Sequence, residues 1–169
     1  MKKMSVVRFV CIGGILTTAA VLFQSAPVFL PMIGMALSPL STLPIAIAAV
    51  SSIPLGFTVF FASAFILVVV SVQEAVILIF TTGLFGIVIG TLLYRKGMVL
   101  SIFISSMALS LGIGFLTYII GIPSFVEIAG QFSIPLAFLI FFSFSLAYAI
   151  IWHIGLKKLT NYLMKSVNL

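Results

Sequence analysis

Apolar residues in this chain follow neither the two-residue alternation of a half-buried strand nor the one-sided stripe of a surface helix. They run on in stretches close to twenty residues, with polar residues gathered in the gaps. The clearest stretch lies between Gln73-Glu74 and Arg95-Lys96. Its sequence, AVILIFTTGLFGIVIGTLLY, has no charge and no proline. At about 1.5 Å per residue it predicts a helix roughly 30 Å long, enough to cross the hydrocarbon core of a bilayer. The basic pair at its end marks the cytoplasmic side and the acid the opposite side, by the excess of Lys and Arg in cytoplasmic loops.

The other spans follow from this one. A first runs over about 9–26, after Lys2, Lys3 and Arg8, with Pro27 and Pro31 expected to end it. Residues 27–44 are apolar but broken by four prolines. Such backbone is tolerated at membrane depth only against protein or around a cavity. Arg8 and Arg95 both belong inside, so an even number of crossings separates them. Four fit, at about 9–26, 36–52, 55–72 and 75–94. A fifth covers about 98–120 and a sixth about 135–155. A short amphipathic tail, 157–169, is expected to rest on the inner surface. The fold class is therefore an all-α integral membrane protein, a bundle of about six transmembrane helices with both termini cytoplasmic.

Composition sharpens this picture. Of 169 residues 63% are hydrophobic and 6% charged, and the mean hydropathy is +1.46; a soluble domain carries more charge and less apolar surface. The net charge of +6 comes from basic residues at loop ends and forms no stripe interleaved with aromatics, so the partner is the lipid bilayer and not nucleic acid. The first span also has the basic start and apolar run of a signal peptide. Gln24 and Pro27 would flank the cut, which disfavours cleavage, so the span is expected to remain.

Candidate chemistry is sparse. Gln73 and Glu74 sit at the outer mouth, where they are either a solvated loop end or a ligand-contacting pair. Glu127 and Gln131 lie four apart and share a face if their loop is helical. With Gln24 they could converge on one outer cavity, roofed by Phe29, Met32 and Met35 from the broken stretch. Small residues recur at helix-packing spacing, as Gly13/Thr17, Gly14/Thr18 and Thr82/Gly86/Gly90. They serve packing inside the bundle or docking of a partner. Cys11 is expected to be a small packing residue and His153 an aromatic-belt neighbour of Trp152. No metal site, no cofactor and no catalytic residues are expected. The single His lies at the end opposite both acids, and neither a nucleophile motif nor a phosphate-binding glycine loop occurs.

Three stretches carry a resemblance: residues 27–44, the fourth-span end TTGLFGIVIGTLLYRKG, and the loop after Gly121. With six short spans and both ends inside, the layout resembles the substrate-binding (S) components of energy-coupling-factor transporters, and is similar to the YybS-like bacterial membrane proteins. The resemblance implies outer loops closing over a vitamin-sized molecule, with a transmembrane coupling protein and cytoplasmic ATPases as partners. Where that family docks its coupling protein through an alanine row in the first span, this chain has Gly13/Thr17 and Gly14/Thr18. No outer Arg or His is available for an acidic ligand, so a small neutral or cationic nutrient is expected. The rival expectation is a non-transporting membrane partner or assembly protein that acts through helix packing.

Overall fold

The computed structural model describes residues 5–167; Lys2 and Lys3, expected at the inner end of the first span, lie outside them. Among the described residues every regular element is helical. Six helical segments are long and apolar enough to cross a membrane, Val6–Phe29, Met32–Ser51, Ile53–Val70, Val72–Leu92, Met98–Ile120 and Ile134–Tyr162. That is the make-up of a multi-pass membrane protein. We number the α-helices α1 (Val6–Phe29), α2 (Pro31–Leu37), α3 (Thr42–Ser51), α4 (Ile53–Val70), α5 (Val72–Phe80), α6 (Thr82–Leu92), α7 (Met98–Phe115), α8 (Pro123–Ala129) and α9 (Ile134–Val167).

The prolines are placed where a helix tolerates them. Pro31 opens α2, Pro39 lies in the first turn of a 3₁₀ segment, Ser38–Ser41, and Pro44 in the first turn of α3. First-turn N–H groups have no intrahelical partner to lose, so proline costs little there. The stretch expected to be broken is thus nearly continuous helix. Pro27 is the exception. It was expected to end the first span near residue 26, yet α1 continues through it to Phe29 and breaks at Leu30. Leu30 precedes Pro31, and the ring of a proline drives the residue before it out of the helical region; its φ of −133° and ψ of 78° show that outcome.

Close approaches at glycines fix the directions of the helices. A Cβ on Gly13 would meet Leu55 near the start of α4, and Gln24 further along α1 bonds Glu74 just past the end of α4, so the two helices run side by side in the same sense. On Gly86 it would come within 3.1 Å of the Thr42 carbonyl oxygen, and on Gly90 within 2.6 Å of that of Ala46. Gly86 and Gly90 therefore let α6 lie against α3, the small-residue route to helix association in lipid. Gly114 lies against the Phe138 ring and Phe103 against Phe142, so α7 and α9 pack in opposite senses.

This alternation brings Arg8, the Ser51–Pro54 turn, Arg95, Lys96, Lys157 and Lys158 to one end, the basic end. Glu74 and Glu127 lie toward the other. Tyr94 donates to Asn161 Oδ1 at 3.0 Å and shares a hydrogen bond with Thr160, joining the turn after α6 to α9 near the basic end. The tail does not break away after 155. α9 runs unbroken for 34 residues, about 50 Å, and Tyr162 in its last described stretch of side chains is exposed. At the acidic end, Gly121 adopts φ 75°, a left-handed conformation that costs glycine nothing. Its N–H and that of Ile122 both donate to the Leu116 carbonyl, closing the π-helical turn Leu116–Ile120.

Candidate functional site

The fourth span is two helices. Its ladder of hydrogen bonds reaches Thr81, whose N–H donates to Ile77 O at 2.9 Å, and resumes with the Phe85 N–H donating to Thr81 O at 2.8 Å. Thr81 itself has φ −121° and ψ −92°, outside the helical region. The Thr81 hydroxyl donates to the same Ile77 carbonyl at 2.6 Å. Side-chain hydroxyls compete with the backbone in this way and loosen a helix. Irregular backbone inside a membrane bundle needs protein or a cavity around it, and here it has both.

Beside the break lies a cavity of about 190 Å³. Its floor and sides include Ile77, Thr81 and Thr82 at the break, Leu109 and Ile113 of α7, and Phe144 and Tyr148 of α9. Met35, Ser38 and Pro39 close it from the proline-rich segment, and Phe125 of α8 from the loop. Phe144 and Tyr148 stack at 6.1 Å between ring centroids, 21° from parallel. No charged side chain lines the cavity.

Behind the Thr82 wall a buried polar cluster joins three spans. Gln24 of α1 is its hub. The Gln24 amide donates to Glu74 Oε2 at 2.8 Å, while its oxygen accepts from Ser41 at 2.7 Å and from Thr82 at 2.9 Å. Gln24 and Ser41 are wholly buried and Glu74 nearly so. The Thr82 carbonyl carries the network on, accepting from the Thr42 hydroxyl, which is also hydrogen-bonded to the Tyr148 hydroxyl. Tyr148 in turn donates to the Pro39 carbonyl at 3.1 Å. Buried polar groups in hydrocarbon need such partners, and these bonds hold the Thr82 and Tyr148 walls of the cavity in place. Glu74 sits in the first turn of α5, where the helix dipole favours an acid; its N–H donates to Ser71, half of a capping box.

The expected site residues thus part company. Gln24 and Glu74 meet directly, but in the cluster behind the cavity and not on its surface. Met35 lines the cavity; Phe29 and Met32 are exposed and do not. Gln73 is exposed and faces a separate hollow with Ile120, Gly121 and Pro123. Glu127, on α8, and Gln131, in the turn after it, are both exposed. Thr82, expected to pack helices, belongs to the polar cluster and the cavity wall. Gly13 and Thr17 are buried along α4, Gly14 and Thr18 are exposed, and all four line one groove with Thr58, Ala62 and Ile66. Cys11 is exposed, not packed, and His153 is buried within the bundle. Thr81, Phe144 and Tyr148 were not singled out. The signal for Thr81 was present, since two threonines and a glycine mid-span offer a hydroxyl and no bulk to hold the ladder. Set against protein-family models, curated proteins and solved structures, the chain matches none of them.

Proposed function

We propose that this protein captures a small, neutral, partly aromatic molecule in the cavity beside the broken fourth span, as the substrate-binding subunit of an importer of the energy-coupling-factor type. The observation that carries the reading is the cavity at a helix broken near mid-span without proline. Discontinuous helices of that kind commonly build substrate sites in membrane transporters. A wall of stacked rings with a few hydroxyls suits a planar ring better than a charged group. That narrows the ligand from neutral or cationic to neutral. The layout resemblance supplies the importer type, and the open groove at Gly14 and Thr18 is where a coupling protein would dock.

The lone tryptophan gives a direct test. Trp152 lies 6.0 Å from the Tyr148 ring, so a molecule stacked on Tyr148 perturbs its emission. Titration of the purified protein with a panel of neutral heteroaromatic nutrients should give one saturable change. Phe144→Leu, which removes half of the stacked wall, should weaken that binding about three- to tenfold. A panel without any saturable response, alongside a folded protein, would sink the reading.

Orientation is part of the same proposal. A reporter fused after Lys96 or Leu169 should read cytoplasmic, and one inserted near Ser124 external. An external reading after Lys96 would reverse every span, and the cavity would then face the cell interior.

A further inference from the structure

Glu74 is the one acid held inside the bundle; Glu127, the other acid of the chain, is exposed on α8. Glu74 is 8% exposed, and a carboxylate so placed is costly unless a cation pairs with it. Among the described residues none does. α5 packs against α1, α4, α6 and α7. Of these, α4, α6 and α7 carry no ionisable side chain, nor do residues 31–41, and Arg8 and Cys11 of α1 lie toward the basic end. The one other ionisable group that the cluster reaches is the Tyr148 hydroxyl, two bonds beyond Thr82. Glu74 is thus balanced by neutral groups, first among them the Gln24 amide.

That amide can serve Glu74 in two ways, because its oxygen and its NH2 group are alike in shape and opposite in hydrogen bonding. With Glu74 ionised, the amide N–H donates to Oε2 at 2.8 Å, while Ser41 and Thr82 donate to the amide oxygen at 2.7 and 2.9 Å. With a proton on Oε2, the amide turns over. The Glu74 O–H then donates to the amide oxygen, and the two amide N–H bonds point at the Ser41 and Thr82 oxygens. The same separations suit both sets, since O–H···O and N–H···O bonds overlap at about 2.7–3.0 Å. The proton comes from water at the acidic end, where Glu74 sits in the first turn of α5, and it returns there when the amide turns back.

For the cavity the difference falls on Thr82, which belongs to both the cluster and the cavity wall. In the first set its hydroxyl hydrogen is committed to Gln24, and towards a ligand the oxygen only accepts. In the second the oxygen accepts from Gln24, and the hydrogen is free to donate. We propose that Glu74 and Gln24 form a proton switch that decides whether the Thr82 hydroxyl accepts or donates a hydrogen bond in the cavity. The proposal rests on the capture reading and narrows its ligand class: the protonated state holds a neutral ring bearing a carbonyl or a ring nitrogen. Linkage makes the effect mutual, so such a molecule draws a proton onto Glu74 as it binds.

Infrared spectroscopy of the purified protein tests the switch without a ligand. In a Glu127→Gln background Glu74 is the only side-chain carboxyl. Lowering the pH across roughly pH 9–4 should raise a protonated-carboxyl C=O band and, at the same midpoint, shift a side-chain amide C=O band. Both changes should be lost when Glu74→Gln is added. A carboxyl band that never appears or never disappears, or an amide band that stays put, overturns the switch. The link to the cavity is read from Trp152 emission, with nicotinamide, a neutral planar ring carrying a carbonyl, as the probe. Its affinity should be roughly three- to tenfold higher at the acid end of that range. Glu127→Gln should keep this ratio and Glu74→Gln should abolish it. Equal affinity throughout, no nicotinamide response, or a ratio that survives Glu74→Gln overturns the link. The infrared changes do not depend on a ligand, so failure of the switch and failure of the capture reading are told apart.

Discussion

Replacing Gln24 by leucine should destabilise the protein more than any other single polar change. One side chain donates to Glu74 and accepts from both Ser41 and Thr82. Leucine leaves a carboxyl oxygen without its donor and two hydroxyls without their acceptor. Interhelical hydrogen bonds in membranes are worth about 0.6–1.7 kcal/mol each, and orphaned buried partners add to the loss. We expect a total on the order of 2–5 kcal/mol, read as a lower midpoint in denaturant titration from detergent micelles. The double variant Gln24→Leu/Glu74→Leu is the sharper measurement. Removing both members of a pair leaves fewer orphans than removing one, so the double change should cost at least about 1 kcal/mol less than the two single losses added together. Strict additivity would mean that Gln24 and Glu74 do not share a bond. Glu74→Gln retains an acceptor oxygen and should be mild.

The second large effect is at Gly112. In α7 this residue rests against the carbonyl oxygen of Phe80, and a Cβ would fall on top of that oxygen. Phe80 is the last residue of α5, immediately before the break at Thr81, and its ring stacks on Phe115 at 4.5 Å. Backbone cannot swing aside as a side chain can. Gly112→Ala should therefore separate α7 from the fourth span and cost about 1–3 kcal/mol by overpacking. A Cβ at Gly14, by contrast, meets nothing within 4 Å. Gly14→Ala should keep or slightly raise stability, since alanine favours a helix by about 0.5–1 kcal/mol over glycine. Equal melting temperatures for the two alanine variants would show that Phe80 does not approach α7 as closely as described.

The spans were legible because each is a long uncharged run bounded by charge, proline or glycine, and those are local signals. Residues 98–120 show this: Gly97 precedes the helix and Gly121 closes it. The break at Thr81 was not legible as a break. Its span has a clean hydrophobic profile; Thr81, Thr82 and Gly83 allow an interruption there, and the competing bond of the Thr81 hydroxyl, seen in three dimensions, marks it as one. Pro27 misled in the opposite direction. A proline near the end of a long helix removes one bond, and the packing of Gly34 of α2 back against Ala26 and Pro27 holds the turn together. Gln24 and Glu74 could be suspected of meeting because both thread to one side. That they meet behind the cavity, and that the cavity walls are Phe144 and Tyr148, depends on the rotation of each helix about its axis. In a span apolar on every face, rotation leaves no trace in the hydrophobic pattern.

The hub at Gln24 also imposes an order on synthesis. Its partners lie 17, 50 and 58 residues further along the chain. Ribosomes add roughly 5–20 residues per second, so the first span waits about 3–10 s for the acid that its amide will hold. During that interval Ser41 alone can reach it. A glutamine in hydrocarbon without partners is drawn toward headgroups and water, which favours a shallow seat for the nascent first span. The arrival of the fourth span then draws it to full depth. Assembly of this bundle would proceed as a hairpin that is first loose and later locked, and the lock comes from a helix that has not yet been made when the first enters the membrane.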